Sequence, residues 1–171
     1  FKVLGFRNGS ELKTHFFYYL REKGFQYFDN HNFKKSIKCF NKALKIYPDD
    51  FLALKQLGVA YLQNGNYELA REQLIYVIDR FSSNDIITDN YRVQEAWAHL
   101  GEVYNRLFLF NTAINAYNKS MDLDRFTNTW DLIATAYEGM GEFKLTKEAI
   151  KSFKKREKEV IKNEKEQMKA I

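Results

Sequence analysis

Cys39 is the sole thiol of the 171-residue chain, and His15, His31 and His99 are its three imidazoles. These four residues bound what the chain can do by nucleophilic attack or soft-metal ligation. A cysteine becomes a nucleophile when a neighbouring base or cation lowers its pKa, and only His31 and His15 are near enough in sequence to suggest a pair. Cys39 sits beside Phe40 in a stretch with helical periodicity, which is the setting of a passive thiol. No H-E-x-x-H, no G-x-S-x-G and no glycine-rich loop ending in Lys-Ser or Lys-Thr occurs. One thiol excludes an internal disulfide framework and a zinc site built on several thiolates. The expectation is a chain that is not an enzyme and uses no metal and no cofactor. Asn8-Gly9-Ser10 and Asn118-Lys119-Ser120 match the glycosylation acceptor, but the pattern is common, the second lies in a helical stretch, and neither supports secretion.

The elements that carry these residues follow from composition. With 45% hydrophobic and 29% charged residues the chain has enough apolar material for one domain. Proline occurs once, as Pro48, and the eight glycines are scattered, so helices can run almost throughout. Apolar runs are only a few residues long, against roughly 20 for a membrane-spanning helix, and no transmembrane segment is expected. The net charge is +5, and the excess of Lys and Arg over Glu falls between Lys144 and Lys169. The chain opens on Phe1, and FKVLGFRNG is neither long nor apolar enough for a secretion signal. The expectations here are missing upstream residues and, from the lone cysteine, a cytoplasmic location.

Aligned on itself, the chain repeats. In LGVAYLQNGNYELAREQLIYV the informative places hold Leu57, Gly58, Tyr61, Gly65, Tyr67, Ala70, Leu74 and Val77. In WAHLGEVYNRLFLFNTAINAYNKS, Trp97, Leu100, Gly101, Tyr104, Phe110, Ala113, Tyr117 and Ser120 recur at matching offsets. A first copy places Leu20, Gly24, Tyr27, Phe33, Ser36, Phe40, Ala43 and Pro48 in register, and a last one Trp130, Ile133, Ala134, Tyr137, Gly141, Phe143, Thr146, Ile150 and Phe153. The spacing W-x2-L-G-x2-Y, then a small residue and an aromatic, resembles the tetratricopeptide repeat, a helix-turn-helix unit of 34 residues.

That resemblance implies an all-α superhelical solenoid of about four such units, 17–50, 51–84, 94–126 and 127–160, with an insertion at 85–93. A segment 1–16 packs on or leads into the first unit, and 161–171 is the solvated end of a long C-terminal capping helix. Gly24, Gly58, Gly101 and Ala134 let paired helices approach, met by Ser36, Ala70, Ala113 and Thr146, while Tyr27, Tyr61, Tyr104 and Tyr137 fill space between units. Asn30 to Asn32, Asn64 to Asn66 and Gly139 to Gly141 read as turns. Asp49 and Asp50 suit the start of a helix, and Thr88, Asp89 and Asn90 suit a cap for an extra turn before unit three. Phe108 stands where a turn glycine is usual, and Lys23 where leucine is usual.

The resemblance further implies a concave groove lined by the first helices. Its places are Tyr18, Arg21, Phe25, Phe28 and Asp29 in unit one, and Leu52, Lys55, Val59, Leu62 and Gln63 in unit two. Unit three offers Glu95, Ala98, Glu102, Asn105 and Arg106, and unit four Asn128, Asp131, Thr135 and Glu138. Apolar groups facing solvent mark binding surfaces, so the expected partner is another protein, presenting a peptide or helix with apolar and basic portions. Alternatively Leu4, Phe6, Leu12, Phe16 and Phe17 plug the apolar end, or the module assembles with copies of itself. The family's clamp for acidic heat-shock chaperone tails would fall on Arg21, Phe25, Gln56, Glu95 and His99, where Glu95 opposes a carboxylate; this is not a typical clamp of that kind. In the closing helix, Lys155 with Glu159 and Lys162 with Glu166 read as pairs on a solvated face, and contact with nucleic acid is disfavoured.

Overall fold

The computed structural model describes residues 9–82, 90–123 and 129–169. Among the described residues the chain is all-α, with helices α1 (Gly9–Asp29), α2 (Phe33–Leu44), α3 (Phe51–Gln63), α4 (Tyr67–Phe81), α5 (Asn90–Arg106), α6 (Phe110–Leu123), α7 (Trp130–Gly139) and α8 (Phe143–Lys169). They pack as successive pairs, the arrangement of a helical-repeat solenoid.

The four turns inside the pairs are built alike. The amide of one residue donates to the carbonyl three back, and the next amide to the carbonyl five back: His31 N to Phe28 O and Asn32 N to Tyr27 O, each 2.8 Å. Gly65, Phe108 and Gly141 repeat this, with Asn66, Leu109 and Glu142 donating to the carbonyls of Tyr61, Tyr104 and Tyr137 at 2.9 Å. Such a turn needs a left-handed residue. It is glycine at Gly65 (φ 80°) and Gly141 (φ 75°), but His31 (φ 56°) and Phe108 (φ 60°) take the same conformation with a side chain attached.

The chain divides into two compact units, Phe1–Val77 and Ile78–Ile171. In the first, α1 crosses α2 where Gly24 lies against the Phe40 ring; a Cβ there would stand 2.7 Å from it. Ser36 Oγ donates to the Gly24 carbonyl at 2.9 Å, locking the crossing with a buried hydrogen bond. Phe40, Ala53 and Leu57 form the core between α2 and α3, flanked by Phe25, Ile37, Leu44 and Tyr61. On the other side of α3, Gly58 admits Leu74 of α4. The helix α3 begins at Asp50, whose Oδ1 accepts from Ala53 N at 2.8 Å, just after Pro48 as expected of an N-cap.

In the second unit, α5 crosses α6 where Gly101 meets the Tyr117 ring, which a Cβ would approach to 2.5 Å. Ala113, Ile114, Tyr117, Ile133, Ala134, Ala136 and Ala149 form its core. The amphipathic stripe of α5, Val93, Ala96, Leu100 and Val103, is wholly buried, while Lys119 Nζ covers the Trp97 ring at 4.2 Å. Thr146 differs from Ser36, Ala70 and Ala113: it is only half-buried, and its hydroxyl donates back to the Glu142 carbonyl at 3.1 Å.

Several expectations change. The residues from Gly9 to Phe16 are the first turns of α1 and lead directly into the first pair, while residues 1–8 lie outside the described residues. Phe17 is core, packed with Leu20 and Ala43, so it is no plug; Phe16 is exposed and Leu12 half-buried, and Leu4 and Phe6 lie outside the described residues. Val59 and Leu62 are 5% and 3% exposed and do not line a groove in this chain. The physical reason is that α3 is apolar almost all round, so its periodicity does not mark one face as the open one. The insertion yields the expected extra turn, Asn90 to Val93, at the start of α5; Thr88 and Asp89 lie outside the described residues.

Candidate functional site

The first unit carries an aromatic cleft of about 420 Å³ lined by Thr14, Phe17, Tyr18, Tyr47, Pro48, Asp49 and Asp50. Its floor is the Phe17 ring, set edge-on to Tyr47 with centroids 4.8 Å apart. The hydroxyls of Thr14 and Tyr47 share a hydrogen bond of 2.7 Å across its mouth. Tyr18 is 50% exposed and Leu52, at the start of α3, 44%. Of the six apolar groove positions expected from the sequence, these two remain open. Phe25 packs edge-on to Phe40 at 5.3 Å and Phe28 edge-on to Phe33 at 5.3 Å, both half-buried.

Arg21 borders this cleft but is already engaged. Its Nη1 donates to Asp50 Oδ2 at 3.2 Å, with the two side chains only 17% and 21% exposed, and its guanidinium lies 5.0 Å from the Tyr18 centroid. Asp50 therefore caps α3 with one oxygen and ties α1 to it with the other. Lys55 Nζ sits 5.8 Å from the Phe51 centroid, half-buried on the same helix.

The second unit differs in chemistry. Glu102 and Arg106 pair along α5 at 3.7 Å, and Asp131 stands at the start of α7. The Tyr117 phenol registers these charges: burial pushes it well above the ordinary tyrosine range, Glu102 and Asp131 push it further, and Arg106 draws it down. The charges of Glu102, Arg106 and Asp131 thus all act on one phenol. That hydroxyl and Asn105 Oδ1 are buried with no hydrogen-bond partner among the described residues. Glu95, Asp131 and Glu138 are exposed, so the face is acidic toward solvent.

Sequence reasoning passed over Tyr47, Asp50 and Tyr117 as site residues. Asp50 had a signal in its position after Pro48, and Tyr117 in its place opposite Gly101; Tyr47 had none. Cys39 is half-buried, and burial raises its thiol pKa against the opposing pull of Lys42 and Lys23, which is the reverse of an activated nucleophile. Asn118-Lys119-Ser120 falls within α6 with Ser120 fully buried. Among the described residues no cluster of three or more His, Cys, Asp or Glu could hold a metal ion, and no helix is long and apolar enough to cross a membrane.

Models of the tetratricopeptide repeat match residues 17–50, 39–72 and 94–127, together more than half of the chain. Human cell division cycle protein 16 homolog is 24% identical over 70% of this chain and 20% of its own length. The curated relatives are far longer: the chain spans 11% to 20% of them. A crystal structure of MamA superposes with a TM-score of 0.69 at 23% identity, over 84% of this chain and 79% of that one. The TPR2AB domain of yeast Sti1 in complex with pHSP90 superposes with a TM-score of 0.63 at 19% identity, over 78% and 49%. At such identities the likeness shows the fold.

Proposed function

The chain belongs to the tetratricopeptide repeat family, whose members are protein–protein interaction modules, and we propose that it is a non-enzymatic adaptor that holds a peptide or helix of another protein. The observation that carries the chemistry is the set of carboxylates on α5 and α7, Glu95, Asp131 and Glu138 exposed and Glu102 half-buried. Carboxylates outnumber the one arginine, so this face favours a basic segment with hydrogen-bond donors to spare. The cleft beside Tyr18 and Tyr47 suits an apolar side chain, because it offers two exposed aromatic rings over a buried one.

The Sti1 domain is seen in complex with pHSP90. In this chain Arg21, the one permanent cation among the five places aligned with the family's carboxylate clamp, is committed to Asp50, and Glu95 repels a carboxylate. We therefore assign a ligand of opposite charge.

Affinity enrichment from native lysate tests the reading, comparing wild type with a Glu95→Lys, Asp131→Lys, Glu138→Lys variant shown by circular dichroism to remain helical. All three side chains are exposed, which suits them to charge reversal without repacking the core. Loss of a defined partner supports recognition by the acidic face; recovery of the same partners moves the site elsewhere. Self-assembly has its own supporting feature, the stacked Phe16 and Tyr19 rings on α1, each 51% exposed. Light scattering coupled to gel filtration decides it, since a monomer mass independent of concentration removes that reading.

A further inference from the structure

The helix α8 has 27 residues against ten in α7, so at about 1.5 Å per residue it runs roughly 40 Å against about 15 Å. Its packed side is short: Ala149 is buried, with Thr146, Ser152, Phe153 and Arg156 half-buried. Opposite that side lie all the lysines from Lys144 to Lys165, every one exposed. At about 100° per residue they fall within an arc of about 100°, centred on Lys147, Lys151, Lys154 and Lys158. Lys155 and Lys162 reach Glu159 and Glu166 only at 4.0 and 3.8 Å, and the four central lysines form no ion pair with a described residue.

The arrangement goes beyond a solvated helix in one respect. Along one edge of the lysine stripe runs an apolar row, Phe143, Ile150 and Ile161, exposed by 68%, 40% and 44%. The acidic residues Glu148, Glu159 and Glu166 sit on the other edge by the same geometry. Exposed Glu157 is the exception, lying just beyond the apolar row; otherwise the outer face is ordered into apolar, basic and acidic rows. An apolar row gains nothing from lying beside a phosphodiester backbone, where positioning contacts are polar. At a bilayer the same order is complementary: lysines meet anionic headgroups while the apolar edge enters the boundary with the acyl chains.

We propose that α8 is a peripheral docking element for anionic membrane surfaces, the lysine stripe supplying attraction and Phe143, Ile150 and Ile161 supplying shallow insertion. Arg156 is half-buried against the body of its unit, which leaves the outer face to lysine, a strongly hydrated point charge suited to headgroups of varied geometry.

The test is co-sedimentation of the full chain with vesicles of phosphatidylcholine alone and of phosphatidylcholine mixed with phosphatidylserine, at low and physiological salt. The expected result is binding to the mixed vesicles only. A Lys147→Glu, Lys151→Glu, Lys154→Glu, Lys158→Glu variant should lose at least a hundredfold in partitioning, and an Ile150→Ser, Ile161→Ser variant several-fold. Both alter exposed positions, and circular dichroism verifies that the helices persist. No binding to mixed vesicles at low salt overturns the proposal. So does binding that the serine variant leaves unchanged while a random-sequence DNA duplex displaces the protein, for then the face is a charge-only contact for nucleic acid.

Discussion

The two units follow one packing scheme and differ in what they do with their polar groups. In the first, Arg21 Nη1 donates to Asp50, Asp50 also caps α3, and Ser36 closes the α1–α2 crossing, while Arg21 Nε stays buried without a hydrogen-bond partner among the described residues. In the second, Asn105 Oδ1 and the Tyr117 hydroxyl are buried without hydrogen-bond partners among the described residues, and the charges of Glu102 and Asp131 act on that phenol. The first interior leaves a donor over and the second an acceptor and a hydroxyl. The difference teaches that the repeat pattern governs how helices cross, while the chemistry presented to a ligand is set by a few variable residues at each crossing.

Substitutions can break or sharpen this contrast, beginning with the largest effects. Replacing Gly101 with leucine drives a side chain into the Tyr117 ring and should destabilise by about 3 kcal/mol; Gly58→Leu meets the more adaptable Leu74 and should cost nearer 1 to 2 kcal/mol. Urea denaturation of both variants compares the crossings, and equal losses would mean that the second unit is no more tightly packed. Asp50→Ala removes a cap and strands Arg21, for about 2 kcal/mol, whereas Asp50→Asn keeps the cap and should lose about half of that. If the two variants melt together, the cap contributes nothing and the loss belongs to the ion pair; if Asp50→Asn melts with wild type, the ion pair contributes nothing.

Phe108→Gly should stabilise by about 1 kcal/mol, because the left-handed backbone strains a side chain that is 79% exposed and buries little. Thermal unfolding reads this directly, and destabilisation would show that the ring holds the turn. The smallest effect at neutral pH belongs to Tyr117→Phe, which removes an unpartnered buried hydroxyl and should be neutral or stabilising by up to about 1 kcal/mol. Its signature is alkaline. Since the folded state raises this phenol, the unfolded chain ionises first, so stability holds below the ordinary tyrosine value of about 10 and falls as pH rises above it. In the phenylalanine variant that alkaline decline should be shallower; an unchanged slope would mean that Tyr117 does not cause it.

Much of the fold was legible in the sequence because packing constraints are local. The glycines opposite Phe40, Leu74 and Tyr117, the turns at Asn30 to Asn32 and Asn64 to Asn66, and the start of α3 after Pro48 follow from the repeat spacing together with the family resemblance that it carries. The start of α1 at Gly9 was not legible, since the repeat pattern begins only at its later residues. The groove was read with less success. Val59 and Leu62 occupy first-helix places that the repeat leaves open, yet α3 is apolar on nearly every face, and periodicity does not say which faces acquire neighbours. Arg21 was read as available, and its pairing with Asp50, twenty-nine positions away, depends on how α1 meets the start of α3. The order of rows on α8 is written in the sequence, but its exposure becomes visible only when the shortness of α7 is known.

The most direct test of the interaction-module account is fluorescence-anisotropy titration of the wild-type chain against a panel of peptides of fixed length that vary independently in charge and apolar content. The account predicts saturable binding to peptides that combine Lys or Arg with an apolar residue, weakened at least tenfold by Glu95→Lys, Asp131→Lys, Glu138→Lys. Preference for acidic peptides, or binding to basic ones that the reversed variant leaves unchanged, would contradict it.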